Sequence, residues 1–486
     1  MGKNKILQSV SALDRKAMTR FCDFVHSPYH NKHEGVRSLL RYLSRVYPDF
    51  SERTCHPDLL RKQVMAETDL AASSFPPILT YAQRLFEAFL VQEGLRADDY
   101  RRQLYVLQGL RQYELFSQYE KQLSRSEKAL ARAQIQDTRY LQFSYELGLE
   151  AGEYFIQMER RRADSSLARR QDAFDVYFIS EKLRDACELQ VRRQILKGEY
   201  QQRFLGAVLE HIRADPDHYR SIPAIYVYYA MYQMLEQGEP TQYYAALEAL
   251  QEQRESFDRA EQILLYNYLM NYCIARINRN DPVFLQELFA LYKVQLSNDL
   301  LLEDGYLSEW DYKNIVTTAL RLNDLNWARQ FIDDYRRALR PESRDNAYRF
   351  NKAAYHYEAG EYDEVLALLT RVEYSDLRYS LGTRALLMRT YYDLGEYDAL
   401  HALTESFRQY LQRNQLMSDQ RRLGYYNLFR LARKAALLRS RLPYWRPDKV
   451  RRDLQRIRQE AEATEAVFNR GWLEEKLMEL EGEVVG

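Results

Sequence analysis

The chain has 486 residues, a length that suits about three ordinary domains or one long repeat array. Its 70 basic and 70 acidic residues cancel, which argues against a chain devoted wholly to nucleic acid or acidic membrane. Only 17 Gly and 12 Pro leave little room for a many-turned β architecture, while 40 Tyr against 20 Phe suit half-buried helix faces, where a ring covers area and its hydroxyl stays polar.

Residues 1–95 read as an N-terminal helical domain. Met1-Gly2-Lys3-Asn4-Lys5 leads into an amphipathic segment with no apolar signal core. Ser11-Ala12-Leu13-Asp14 has the residues of a helix start, and Phe21, Phe24 and Val25 form the apolar face behind it. Ser27-Pro28-Tyr29-His30-Asn31 breaks that helix. A second carries Val36, Leu39, Leu40, Leu43 and Val46 and stops at Pro48, and a short one surrounds Leu59–Met65. Pro76-Pro77 opens the next, with Ile78, Leu79, Leu85, Phe86, Phe89 and Leu90 at helical spacing.

Residues 96–197 form a helical region with breaks near Phe116-Ser117 and Gln136-Asp137. It closes with a long spine helix from Ser166 to Lys197, ended by Gly198. From 198 to 440 a hairpin rhythm sets in. Turn residues fall at Gly198, Gly238, Asn280, Asn323, Gly360 and Gly395, separated by 40, 42, 43, 37 and 35 positions. Gly and Asn accept the left-handed conformation that ends a helix, so the six positions share one physical role. Pro240 and Pro282 sit where a helix start tolerates a missing donor. A recurrence of this size predicts an all-α chain of stacked helical hairpins. Residues 441–486 complete it as a charged capping segment.

Two turns resemble those of the tetratricopeptide repeat family: Gly360-Glu361-Tyr362-Asp363-Glu364-Val365 and Gly395-Glu396-Tyr397-Asp398-Ala399-Leu400. Asn323-Asp324-Leu325-Asn326-Trp327-Ala328 is a third copy that keeps the family's small residue, and it follows Tyr312, Ile315 and Val316 at the family's spacing. Val365 and Leu400 depart from that small residue. Pro341 lies close to the family's closing proline, and the last two repeats have none. The likeness is good over about 305–415 and looser over about 200–300. It implies a right-handed α-solenoid that binds a protein or peptide in its groove. By register from the turns, the groove positions are Phe350, Ala354, Ala385 and Arg389. The family's carboxylate-clamping mode finds only Arg389 suited to it among these four, so an apolar or aromatic-bearing ligand fits better. Phe21, Phe24, Ser27, Pro28, Tyr29, Asn31 and Lys32 also resemble a motif of a group of uncharacterised bacterial all-helical proteins. That likeness implies a bacterial protein of the same architecture and names no activity.

Other features each admit two readings. Tyr226, Tyr228, Tyr229, Tyr232, Tyr266, Tyr268 and Tyr272 crowd two helices. They are either core rings or an aromatic groove, and the lack of Lys or Arg before Arg276 favours the core. Residues 430–458 hold eleven cations against Asp448 and Asp453, a net +9, and the following segment is net −6. This is either a solvated cap whose halves balance or a patch for phosphates or an acidic partner, with Arg446, Arg451, Arg452 and Arg456 as its candidates. Cys22 and His26 lie four apart, near His30, His33 and Cys55-His56, without a paired Cys-x-x-Cys knuckle. Arg37, Arg41 and Arg45 line one side of a helix that also reads as core-packed. His356 occupies a place where the family packs an aromatic and reads as an interface residue.

The four cysteines, Cys22, Cys55, Cys187 and Cys273, are too scattered for a disulfide framework. The longest uncharged runs, Ser221–Leu235 and Gln262–Ala275, are shorter than the ~20 residues of a membrane helix. Phosphate-loop, dinucleotide, nucleophile-elbow and zinc-protease motifs are missing. The expectation is a cytoplasmic, non-enzymatic scaffold with no cofactor, no metal and no membrane partner. The alternatives are a nucleic-acid-associated regulator using 430–458, or an enzyme or metal-binding protein without a recognisable motif.

Overall fold

The structure, a computed structural model, describes residues 4–68, 70–158, 166–196, 201–372, 377–413 and 417–485. It is all-helical apart from a two-stranded ribbon in which Leu302–Glu303 pairs with Tyr306–Leu307. The chain divides into two compact units, Met1–Tyr228 and Tyr229–Gly486.

The first unit contains α1 (Lys5–Ser11), α2 (Arg15–His26), α3 (Glu34–Val46), α4 (Glu52–Cys55), α5 (Pro57–Ala66), α6 (Phe75–Ala97), α7 (Asp99–Gln112), α8 (Phe116–Ala131), α9 (Thr138–Gln157), α10 (Ser166–Leu196), α11 (Leu205–Ala214) and α12 (Pro216–Arg220). The predicted start before Phe21 resolves into a separate α1 and a cap at Asp14, whose carboxylate accepts from Ala17 N at 2.6 Å. α2, α3 and α6 meet on Phe21, Leu39, Leu43, Ile78 and Phe86, with Phe21 and Phe86 edge to face at 5.3 Å. Leu90, expected on the apolar face of α6, is instead 49 % exposed, because the buried stripe runs through Ile78, Ala82, Leu85, Phe86 and Phe89. α10 packs along α9. The expected turn at Gly198-Glu199-Tyr200 lies outside the described residues.

α13 (Pro223–Gln237) contains the division between the units. The second unit continues with α14 (Pro240–Gln253), α15 (Arg259–Ile277), α16 (Val283–Ser297), α17 (Glu309–Arg321), α18 (Leu325–Asp334), α19 (Pro341–Glu358), α20 (Tyr362–Leu369), α21 (Leu377–Leu394), α22 (Tyr397–Arg413), α23 (Asp419–Arg439), α24 (Pro447–Ala463) and α25 (Arg470–Val485). The turn residues do what their chemistry requires: φ is +71° at Gly238, +62° at Asn280, +58° at Asn323, +75° at Gly360 and +77° at Gly395. Four of these turns close with the same long-reach bond. The residue after the left-handed one donates to a carbonyl five positions back: Asp281 to Arg276, Asp324 to Ala319, Glu361 to His356 and Glu396 to Tyr391, at 2.9–3.1 Å. Pro240 and Pro341 open their helices, while Pro282 stands one residue before α16, a shift within ordinary boundary scatter.

Each helix from α14 onward packs on its sequence neighbour. A second set of contacts skips one helix, joining α17 to α19, α19 to α21, α21 to α23 and α23 to α25. Helix pairs stacked through alternate helices are what a helical-repeat fold produces. The Tyr-rich helices are core: Tyr228, Tyr232, Tyr266, Tyr268 and Tyr272 are buried, and Tyr226 and Tyr229 are half-buried.

Candidate functional site

The alternate helices α17, α19, α21 and α23, together with residues of and just before α25, enclose a cleft of about 650 Å³. Phe350 and Ala354 of α19 and Ala385 and Arg389 of α21 all line it. Phe350 and Ala385 stand ten residues before their turn glycines, and Ala354 and Arg389 stand six before. Carried back to Asn323, the same register selects Lys313 and Thr317 on α17, and both line the cleft as well. The sequence reading stopped at two repeats, so it missed them. It also missed Trp310, Arg321, Arg421 and Trp472. Arg421 and Trp472 come from helices that no left-handed Gly or Asn follows to set the register used above, and only packing reveals them.

Aromatic pairs build the walls. Phe350 meets Tyr379 edge to face at 5.5 Å, Trp310 stacks on Tyr379 at 5.3 Å, and Tyr425 stacks on Phe468 at 4.2 Å. Gly382 lets α21 approach α19 closely, since a Cβ there would sit 3.0 Å from the Phe350 ring. Arg389 is set between rings, its guanidinium carbon 4.1 Å from the Tyr357 centroid and 5.9 Å from that of Trp472. It bonds Glu358 Oε1 at 3.3 Å, and its buried Nε has no hydrogen-bond partner.

Beneath Arg389 lies a closed polar chain. Trp472 Nε1 donates to the Tyr357 hydroxyl at 2.9 Å, that hydroxyl donates to Asp393 Oδ2 at 2.5 Å, and Lys476 Nζ reaches Asp393 Oδ1 at 3.0 Å. Burial pushes the Tyr357 hydroxyl far up, so it keeps the proton that Asp393 accepts. For Lys476, burial works against the charge, but the bonds to Glu479 and Asp393 outweigh it and raise its pKa.

The other candidates fall elsewhere. Arg446, Arg451, Arg452 and Arg456 are exposed, on or beside α24, and do not line the cleft. Much of the remaining basic stretch is paired: Arg430 and Lys434 share Glu460, Arg439 holds Glu483, and Arg458 holds Glu481. His26 turns its Nδ1 onto the Cys22 carbonyl at 2.7 Å, His30 stacks on Phe24 at 3.9 Å, and His33 and His56 cap α3 and α5. Among the described residues no group of three or more His, Cys, Asp or Glu could hold a metal ion. Arg41 and Arg45 both bond Glu67, and Arg37 pairs with Glu34. His356 Nδ1 meets Glu361 Oε2 across the Gly360 turn at 2.5 Å. No helix among the described residues is long and apolar enough to cross a membrane.

No family model matches the chain, and neither do the curated proteins or the solved structures compared with it.

Proposed function

We propose that the protein is a non-enzymatic, cytoplasmic scaffold whose second unit is a right-handed, tetratricopeptide-like superhelix. In this reading it binds a segment of another protein in the cleft between the alternate helices. The observation that carries it is positional: four residues selected by repeat register line a single concavity with an aromatic wall. Such inner rows of helical repeats read extended segments with side chains from successive helices. The test places a photo-crosslinking residue at Ala354 and, for comparison, at Tyr113 in the first unit, which is 81 % exposed. The expected result is a crosslinked protein at Ala354 that disappears when Arg389→Glu is added. Crosslinks confined to Tyr113, or indifferent to Arg389→Glu, would remove the cleft from the mechanism.

The exposure of Arg446, Arg451, Arg452 and Arg456 favours one other reading, a nucleic-acid contact through α24. Charge reversal at Arg451, Arg452 and Arg456 then abolishes RNA or DNA binding. If the unaltered protein binds neither at low salt, that reading ends.

A further inference from the structure

Resting on the peptide-binding reading, we propose that the segment received by the cleft is acidic and that Glu358 is its internal stand-in. Lys313, Arg321, Arg389 and Arg421 line the cleft from three helices, and Glu358 is the single acid among its lining residues. Arg321 and Arg421 are exposed, so they offer charge at the rim at no cost in broken structure. Arg389 is the fixed element. Its plane is held by the Tyr357 and Trp472 rings, and its bond to Glu358 is long at 3.3 Å. Glu358 is itself 41 % exposed, so water already competes for that pair and exchange with a ligand carboxylate is cheap. A guanidinium seated on rings, one of whose terminal nitrogens already holds a carboxylate, is the arrangement that selects a carboxylate over a neutral amide. Between the cations the lining is mixed, with Asn314 and Thr317 beside the largely buried Phe350, Ala385, Leu386 and Trp472, so the segment has room for an apolar side chain beside its acids. A single strand of nucleic acid would use aromatic faces for its bases. Here Trp310 and Tyr425 each spend a face on another ring, and Tyr357 lies against Arg389.

The test selects binders of the full-length protein from a displayed library of random short peptides. The best peptide is then resynthesised with its Asp and Glu changed to Asn and Gln, and a uridine oligoribonucleotide is measured in parallel. Four proteins are compared: the unaltered chain, Arg321→Glu/Arg421→Glu, Glu358→Gln and Ala354→Trp. All three variants are screened by circular dichroism, and the exposed double variant serves as the arm that leaves the core untouched. The expected outcome is selected peptides enriched in Asp and Glu, losing about tenfold in affinity on amidation and in Arg321→Glu/Arg421→Glu. Affinity also falls as salt rises, and Glu358→Gln binds tighter by roughly two- to fivefold. Peptides without acidic enrichment that are nevertheless lost in Ala354→Trp would overturn the acidic ligand and leave the peptide site standing. Peptides indifferent to Ala354→Trp, or none selected at all, would overturn both. Oligoribonucleotide binding that Arg321→Glu/Arg421→Glu abolishes, with no acidic peptide selected, would hand the cleft to nucleic acid.

Discussion

Tyr357 serves three neighbours at once. Its hydroxyl accepts from Trp472 and donates to Asp393, and its ring lies under Arg389. Tyr357→Phe keeps the ring but strands a buried indole N–H and a carboxylate oxygen. The expected loss is about 1–3 kcal/mol in urea unfolding, with much less change in affinity for the proposed cleft ligand because the seat of Arg389 survives. Asp393→Asn is the harsher change. The side chains of Lys476 and Asp393 are 12 % and 6 % exposed, and losing the Asp393 charge leaves the Lys476 ammonium with Glu479 alone, so the cost should exceed that of Tyr357→Phe while staying below the about 3–5 kcal/mol of a wholly unpaired buried charge. Stability within experimental error of the unaltered protein would contradict the chain of bonds. Gly360 tests the turn chemistry instead. A Cβ there meets nothing within 4 Å, so Gly360→Ala should cost only the backbone penalty, about 1 kcal/mol. Gly360→Asn should recover part of it, since Asn280 and Asn323 already hold the same conformation. An equal loss for both substitutions would show that φ is not what the glycine supplies.

Ion pairs between α23, α24 and α25 join helices that the sequence shows only as a basic run followed by an acidic one. Lys434 Nζ reaches Glu460 at 2.6 and 2.8 Å, Arg430 bonds the same carboxylate, and Arg439 holds Glu483 at 2.6 Å. The bond to Lys434, and then that to Arg430, hold the Glu460 carboxyl below its usual range against the opposing effect of burial. A depressed folded value means that the contribution is present above the ordinary carboxylate pKa and is lost as pH falls through the folded one. The terminal helices should therefore loosen below about pH 4. Glu460→Gln should flatten that acid limb in thermal unfolding followed against pH, and an identical limb would remove Glu460 from the account. At this scale the helix starts and turns were readable because caps and left-handed positions admit few residue types. The ribbon between α16 and α17 was missed, although Asp304-Gly305 between Leu302-Glu303 and Tyr306-Leu307 is a hairpin signal. Leu90 misled because helical spacing does not say where an apolar stripe ends.

Within the second unit, the inner row from α17 to α25 is legible as a repeat and illegible as a site. Register placed Phe350, Ala354, Ala385 and Arg389 together, but the charge and the aromatic lining depend on Arg421 and Trp472, brought in by packing alone. Trp472, Leu473, Leu477 and Leu480 share one core with Leu381, Met388 and Tyr392. Removing residues after Ser440 should therefore lower amide protection in α21 and α23, and do so far more than in α15 and α16, because stacked pairs transmit stability to nearest neighbours. Hydrogen exchange reads this directly, and undiminished protection in α21 would contradict it. The bond from Trp472 to Tyr357 spans 115 positions of the chain. A ribosome adding about 5–20 residues per second exposes the hairpins well before the indole that finishes the cleft. The cleft is thus completed only after the helices that form most of its wall, and a nascent chain stalled before Arg470 carries α17, α19, α21 and α23 without the indole that closes the lining.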